Sequence, residues 1–199
     1  MKFNLSALAP STRNLLSFLF KLIIIYSILD FSFYSYVGLV DPKGSYDLSS
    51  TIIGKYNLIE AITTATIYPV SWLLNIFGYS TYLYNNVVGI RDFGGIKIMF
   101  PCLGIKMWIA FFSLIAAYPT KQNWKVISIF IIFGIAVIHF FNIVRMFLLA
   151  LTNRYYGSDD LHDKIFQRHH DVFNLVVGAV VLMMFYIWVR QFNKISFSS

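Results

Sequence analysis

Charged residues and cysteines are both scarce in this chain of 199 residues. Only 13% of the residues are charged, against about 25% in a soluble domain, whereas 58% are hydrophobic and the mean hydropathy is +0.66. These values exclude a water-soluble globule and a disordered chain, since both need more polar residues. The single cysteine, Cys102, excludes an internal disulfide framework. What remains is an all-α polytopic membrane protein, in which each span needs about 20 apolar residues.

Four apolar runs predict membrane-spanning helices, and the chain 1–199 is predicted to form a single integral membrane domain. Between the first and second of these runs, segment 58–77 is also apolar but contains an acid and a proline. We therefore expect it to form an interfacial helix, a re-entrant helix or a fifth span. The Tyr-rich and then Gly-rich segment 78–101 alternates like short β-strands, which predicts an extended or hairpin structure outside the hydrocarbon. The four predicted spans cover residues 15–40, 102–118, 126–151 and 172–189.

The positions of the basic residues predict which helix ends face the cytoplasm. The N-terminus, the short turn 119–125 and the C-terminus together carry six bases and no acid. Because an excess of Lys and Arg in short loops marks the cytoplasmic side, we expect four crossings with both termini and that turn inside. The net charge of +7 therefore indicates membrane topology, and no nucleic-acid partner is expected. The six bases are Lys2, Arg13, Lys121, Lys125, Arg190 and Lys194.

This topology predicts that three reactive residue types lie in one layer at the outer surface. Cys102 begins the second span, and Arg145 lies roughly 28 Å along the third. His169 and His170 directly precede the fourth. A thiolate is a good nucleophile, an imidazole can transfer its proton, and a guanidinium stabilises a developing oxyanion. The set predicts acyl transfer through a thioester, with cleavage of a peptide bond at the outer membrane surface.

Two asparagines accompany these residues at helical spacing. Asn142 lies one turn before Arg145, and Asn174 lies one turn after His170, so each pair shares a helix face. We expect the two amides either to orient the guanidinium and the imidazole or to form hydrogen bonds between helices. His139 lies on a different face from Arg145 and is predicted to be a core histidine.

Three local patterns in these segments resemble the exosortase/archaeosortase family of membrane cysteine transpeptidases. They are Pro-Cys-Leu-Gly-Ile at 101–105, Asn-Ile-Val-Arg at 142–145, and His-Asp at 170–171 with Gly178 downstream. The resemblance covers about half of the chain and suggests a compact bacterial form. It implies that Cys102 is the nucleophile and that Arg145 and a histidine complete the catalytic set, without a metal or other cofactor.

The resemblance also implies a substrate class and a location. The expected partners are membrane lipids and exported proteins that end in a short motif, a transmembrane helix and a basic tail. The chain would cleave this C-terminal sorting signal from the bacterial cytoplasmic (inner) membrane, with its active site facing the periplasm. Asp171 directly follows His170, which favours His170 over His169 as the catalytic histidine. The acceptor nucleophile (water, lipid or glycan) and the oligomeric state stay open.

Two other functions are compatible with the same residues. One is a metal-dependent membrane hydrolase that uses the His- and Asp-rich segment 159–171, and the other is a non-catalytic assembly or transport factor. In the cysteine-enzyme interpretation, segment 79–95 is expected to form a substrate groove and the loop 153–168 a lid. The possible metal ligands are Asp159, Asp160, His162, Asp163, His169, His170 and Asp171.

Overall fold

The computed structural model describes residues 10–40, 57–156 and 160–192, with side chains for 12–40, 57–153 and 172–191. Five α-helices and one small sheet make up the described part of the chain. The helices are α1 (Pro10–Val40), α2 (Leu58–Ile76), α3 (Ile105–Ala117), α4 (Trp124–Tyr156) and α5 (Asp160–Ile187). The strands are β1 (Thr81–Tyr84), β2 (Val87–Ile90) and β3 (Gly94–Lys97), followed by a 3-10 turn at Phe100–Leu103; a π-helical turn, Trp188–Phe192, continues α5.

Three helices among the described residues are long and apolar enough to cross a membrane. They comprise Thr12–Val40, Trp124–Asn153 and Val172–Gln191. The predicted span at 102–118 is different, because its helix has only 13 residues and begins at Ile105. Its length is about 20 Å, against a hydrocarbon thickness of about 30 Å. The chain is thus an all-α multi-pass membrane protein in which one predicted span is a turn plus a short apolar helix.

Aromatic contacts define the two ends of the helix bundle. At one end, which we call the Tyr118 end, Phe18 stacks on Phe185 at 6.0 Å and meets Tyr118 edge-on at 5.9 Å. The start of α1, the end of α3 and the end of α5 therefore lie together, as the charge pattern predicts. At the opposite end, which we call the Cys102 end, Phe33 of α1 stacks on Phe100 at 5.4 Å.

The sheet lies at the Cys102 end and corresponds to the predicted extended segment. Its strands are antiparallel in the order β1-β2-β3. One face carries apolar side chains that pack against α2 and α4. On the other face the ring of Tyr82 lies over Gly89 and Gly95, and a Cβ at either glycine would overlap it. These two glycines are what allow an aromatic ring to cover the sheet so closely.

Helix α2 packs between the sheet and α4 and is not among the three long apolar helices. It begins at a capped N-terminus, where the Asn57 side chain accepts hydrogen bonds from the backbone of Ile59 and Glu60. The described core has two clusters, one at each end of the bundle. The cluster at the Cys102 end joins α2, the sheet and α4, and the cluster at the Tyr118 end joins α3, α4 and α5.

The prediction that 153–168 is a loop is wrong, while its role as a lid stays a prediction. Helix α4 continues to Tyr156, and α5 already begins at Asp160. Hydropathy marks where a helix leaves the hydrocarbon, but a polar sequence continues the same helix into water because its backbone hydrogen bonds stay within the helix. For the same reason His169 and His170 lie inside α5 and not in a loop before it.

The contact between α3 and α4 predicts an unequal effect of two alanine substitutions. A Cβ at Gly134 would overlap the ring of Phe111, whereas a Cβ at Gly178 would have no atom within 4 Å. We expect Gly134→Ala to destabilise the protein by about 1–3 kcal/mol through overpacking. Gly178→Ala should be neutral or stabilising, because alanine favours helix. Thermal unfolding in detergent measures both, and equal melting temperatures would contradict this packing.

Candidate active site

The only cysteine of the chain lies in a tight turn between the sheet and α3. After the extended residue Met99, the chain forms the 3-10 turn, in which the Cys102 amide donates to the Met99 carbonyl at 2.8 Å. Gly104 then adopts a left-handed conformation, with φ of +73°, and α3 starts at Ile105. A non-glycine residue is strained at this φ. Cys102 thus precedes the helix, whereas the sequence predicts that it lies in the first helical turn.

Arg145 connects this turn to two long helices. It lies 21 residues along α4, at the Cys102 end, and only 4% of its surface is exposed. Its Nη2 donates to the backbone carbonyl of Cys102 at 2.8 Å, and its Nη1 donates to Oδ1 of Asn174 on α5 at 3.3 Å. The two ends of one guanidinium therefore hold the cysteine turn and α5 together. A charge-assisted bond of this kind is stronger than a neutral one.

Asn142 contacts the turn in another way than the sequence predicts. Its side chain is 97% buried and lies against Gly104, where an added Cβ would be 3.4 Å from the Asn142 Cγ. Its Nδ2 and the Nε of Arg145 are buried without a hydrogen-bond partner among the described residues. Buried donors normally have partners. These two unpartnered donor nitrogens beside the cysteine turn are therefore suited to an acceptor that the described residues do not supply.

A cavity of about 350 Å³ lies between α1, α3, α4 and α5 next to this turn. Its described lining holds two cations, Arg145 and Lys106, and no acid, and the Lys106 Nζ lies 5.3 Å from the centre of the Tyr34 ring. Sequence reasoning missed Lys106 and Tyr34, although a lysine in the first turn of an apolar helix is an available signal. The polar lining residues are Tyr34, Lys106, Asn142, Arg145 and Asn174.

His139 lies elsewhere in the bundle. Its Nε2 is 3.4 Å from the carbonyl oxygen of Ala65 on α2, and its ring meets Trp108 edge-on at 5.7 Å. Its Nδ1 is buried and has no partner among the described residues. The contacts with α2 and α3 are those of a packing residue between helices.

The remaining predicted site residues lie in α5 ahead of Asn174. His170 is four residues before it, and the side chains of His169, His170 and Asp171 lie outside the described residues. The other side chains of the predicted metal-binding segment 159–171 also lie outside the described residues. Within the described side chains there is no group of three or more His, Cys, Asp or Glu residues that could hold a metal ion.

The fold and the site define a class of protein. It is a multi-pass membrane protein in which a buried arginine of a spanning helix binds the turn that carries the only cysteine. The chain belongs to the transmembrane exosortase (EpsH) family, whose model matches residues 49–187. No curated protein and no solved structure matches the chain. The matched region includes α2, the sheet, the cysteine turn, Arg145 and all of α5.

Proposed function

We propose that this chain is a membrane-embedded cysteine protease and transpeptidase that removes the C-terminal sorting signal of exported proteins at the outer face of the bacterial cytoplasmic membrane. The observation that carries the proposal is the hydrogen bond from Arg145 to the Cys102 carbonyl, made from a buried position beside a cavity. An arginine inside a membrane protein is costly, so it is retained for a function. Here it binds the backbone of the residue that carries the one thiol.

The proposed reaction has two acyl-transfer steps. The Cys102 thiolate attacks the carbonyl carbon of the scissile peptide bond, and Arg145 stabilises the negative charge that develops on the carbonyl oxygen. The C–N bond then breaks, and the amine leaves with a proton from His170. A water molecule or an amine of a lipid or glycan attacks the thioester, gives its proton to His170 and releases Cys102. The two cations of the described lining, Arg145 and Lys106, favour these anionic states.

Helix geometry supports His170 as the proton carrier. Residues four apart on an α-helix are about 40° apart around its axis, so His170 shares a face with Asn174, which accepts a hydrogen bond from Arg145. His169 is about 140° away from Asn174 by the same arithmetic. By its position along α5, His170 is therefore a better candidate than His169 for the face that carries Asn174.

A covalent intermediate provides the test. The reporter is an exported tagged domain fused to the C-terminal motif, helix and basic tail of a protein from the same cell. We expect acid-quenched membranes to contain the reporter fragment attached to the peptide that holds Cys102, detectable by mass spectrometry. Hydroxylamine should release it, because thioesters react with hydroxylamine. Cleavage of the reporter with no acyl group on Cys102 at any quench time would contradict the proposal.

A further inference from the structure

Strand β3 has one edge that no described residue pairs with, and the chain runs from it straight into the cysteine turn. The sheet order puts β2 on one side of β3. The bond from the Ile98 amide to the Asn86 carbonyl fixes which residues face β2. Because antiparallel ladders alternate, Gly94 and Ile96 also face β2, while the backbone groups of Gly95 and Lys97 face the free edge.

This free edge is accessible among the described residues. Gly95 and Lys97 are both exposed, and neither has a backbone hydrogen bond outside the ladder. A row of unpaired N–H and C=O groups is a template for an added strand. Glycine at 94 and 95 leaves no side chain that would block a second backbone on this edge.

The direction in which the chain runs from β3 into α3 indicates which molecule pairs with the free edge. From β3 the chain passes through Met99 and the 3-10 turn to α3, which runs from the Cys102 end to the Tyr118 end. A protein that is exported and anchored by a C-terminal helix has the same order: an extended segment outside, the scissile bond, and then a helix descending through the membrane. The two chains therefore run side by side in the same direction if the scissile bond lies at Cys102.

We infer that the substrate segment before the scissile bond adds to β3 as a parallel strand, held by the backbone groups of Gly95 and Lys97. This inference rests on the proposed function and names how that site recognises its substrate. The rise per residue of a β-strand and of a 3-10 turn places the contacts with Gly95 and Lys97 about four to six residues before the scissile bond of the substrate. Main-chain pairing supplies affinity with little dependence on side chains. Recognition of this segment is then sensitive to proline and tolerant of other residues.

A matched set of enzyme variants tests the inference with the reporter. Lys97→Pro removes an N–H from the free edge and leaves the bonds to β2 intact, so we expect cleavage to slow about 10-fold, the effect of one lost hydrogen bond. Lys97→Ala keeps the N–H, so it should cleave several times faster than Lys97→Pro. Leu83→Pro removes an outward N–H from the opposite edge of the sheet, since the Arg91–Ser80 bond puts Leu83 at a non-bonded position of β1. It should cleave at the wild-type rate.

A proline scan of the reporter provides a second measurement that does not depend on enzyme folding. Within the segment about four to six residues before the scissile bond, proline should slow cleavage at alternate positions, because every second N–H of an added strand faces β3. Uniform tolerance of proline, or equal cleavage by Lys97→Pro and Lys97→Ala, would overturn strand addition. In either case an acyl group on Cys102 in the wild-type chain would leave the proposed function standing, whereas its absence would remove both.

Discussion

Replacement of Cys102 by alanine is expected to abolish cleavage of the reporter, with a loss of at least about 10³-fold. Without the sulfur no thioester forms, and the other groups of the site have no nucleophile to assist. Cys102→Ser should be nearly as inactive, since a hydroxyl is far less acidic than a thiol and so is rarely present as the anion that attacks. Both rates are measured as appearance of the shortened reporter in growing cells.

The structure predicts that these variants still fold. Cys102 is half-buried at the edge of the core cluster at the Cys102 end, and its hydrogen bonds in the turn and to Arg145 use backbone atoms. Removing one sulfur atom therefore leaves the turn and its contacts intact. Unchanged amounts in the membrane and an unchanged melting temperature in detergent are the expected controls.

The same experiment separates the cysteine enzyme from the metal-dependent hydrolase. Cleavage by the wild-type chain should continue in the presence of EDTA. Cleavage that survives Cys102→Ala but stops with EDTA would instead assign the reaction to the segment 159–171. Cleavage that survives both treatments would contradict both enzymes and favour a non-catalytic role with another protease at work.

Hydropathy and charge predicted the architecture well where a residue's role depends on its depth in the membrane. The long apolar helices Thr12–Val40, Trp124–Asn153 and Val172–Gln191 follow from the predicted apolar runs, because only a helix satisfies its backbone within lipid. Depth along α4 also predicted that Arg145 reaches the level of Cys102, and in the structure it bonds to that residue's carbonyl.

Features that depend on rotation or on a single backbone angle were not predictable. The left-handed Gly104 displaces the start of α3 by three residues from the predicted start at 102, and nothing in an apolar run signals a positive φ. Helix rotation decided that Asn174, rather than Asn142, contacts the guanidinium. Polar residues at the start of α5 read as a loop because hydropathy reports the bilayer boundary and not the helix end.

Arg145→Lys is expected to lower reporter cleavage by about 10²–10³-fold although it keeps the charge. The guanidinium makes two bonds from two nitrogens, to the Cys102 carbonyl and to Asn174, and its Nε is left without a partner among the described residues. A lysine ammonium is a single point donor and cannot reproduce this planar geometry. Losing a positioned donor to an oxyanion costs this order of magnitude in catalysis.

Arg190→Lys is the matched control for the chemistry of the substitution. Arg190 is exposed at the Tyr118 end, where it lies over the ring of Tyr186 at 5.8 Å, far from the cysteine turn. The same change there should leave cleavage within about twofold, because exposed contacts of this kind contribute little. A normal rate for Arg145→Lys would contradict the two-nitrogen role and reduce Arg145 to a positive charge.

Alkylation of Cys102 distinguishes which charge the arginine stabilises. Iodoacetamide reacts with the thiolate and forms no oxyanion, so its rate reports only how readily the thiol ionises. If Arg145 acts on the oxyanion, Cys102 of the Arg145→Lys variant should be alkylated at nearly the wild-type rate, although the variant cleaves the reporter far more slowly. If alkylation falls in parallel with cleavage, the arginine instead stabilises the thiolate. Because Arg145 bonds to the Cys102 carbonyl and its Nε has no partner among the described residues, we expect the first result.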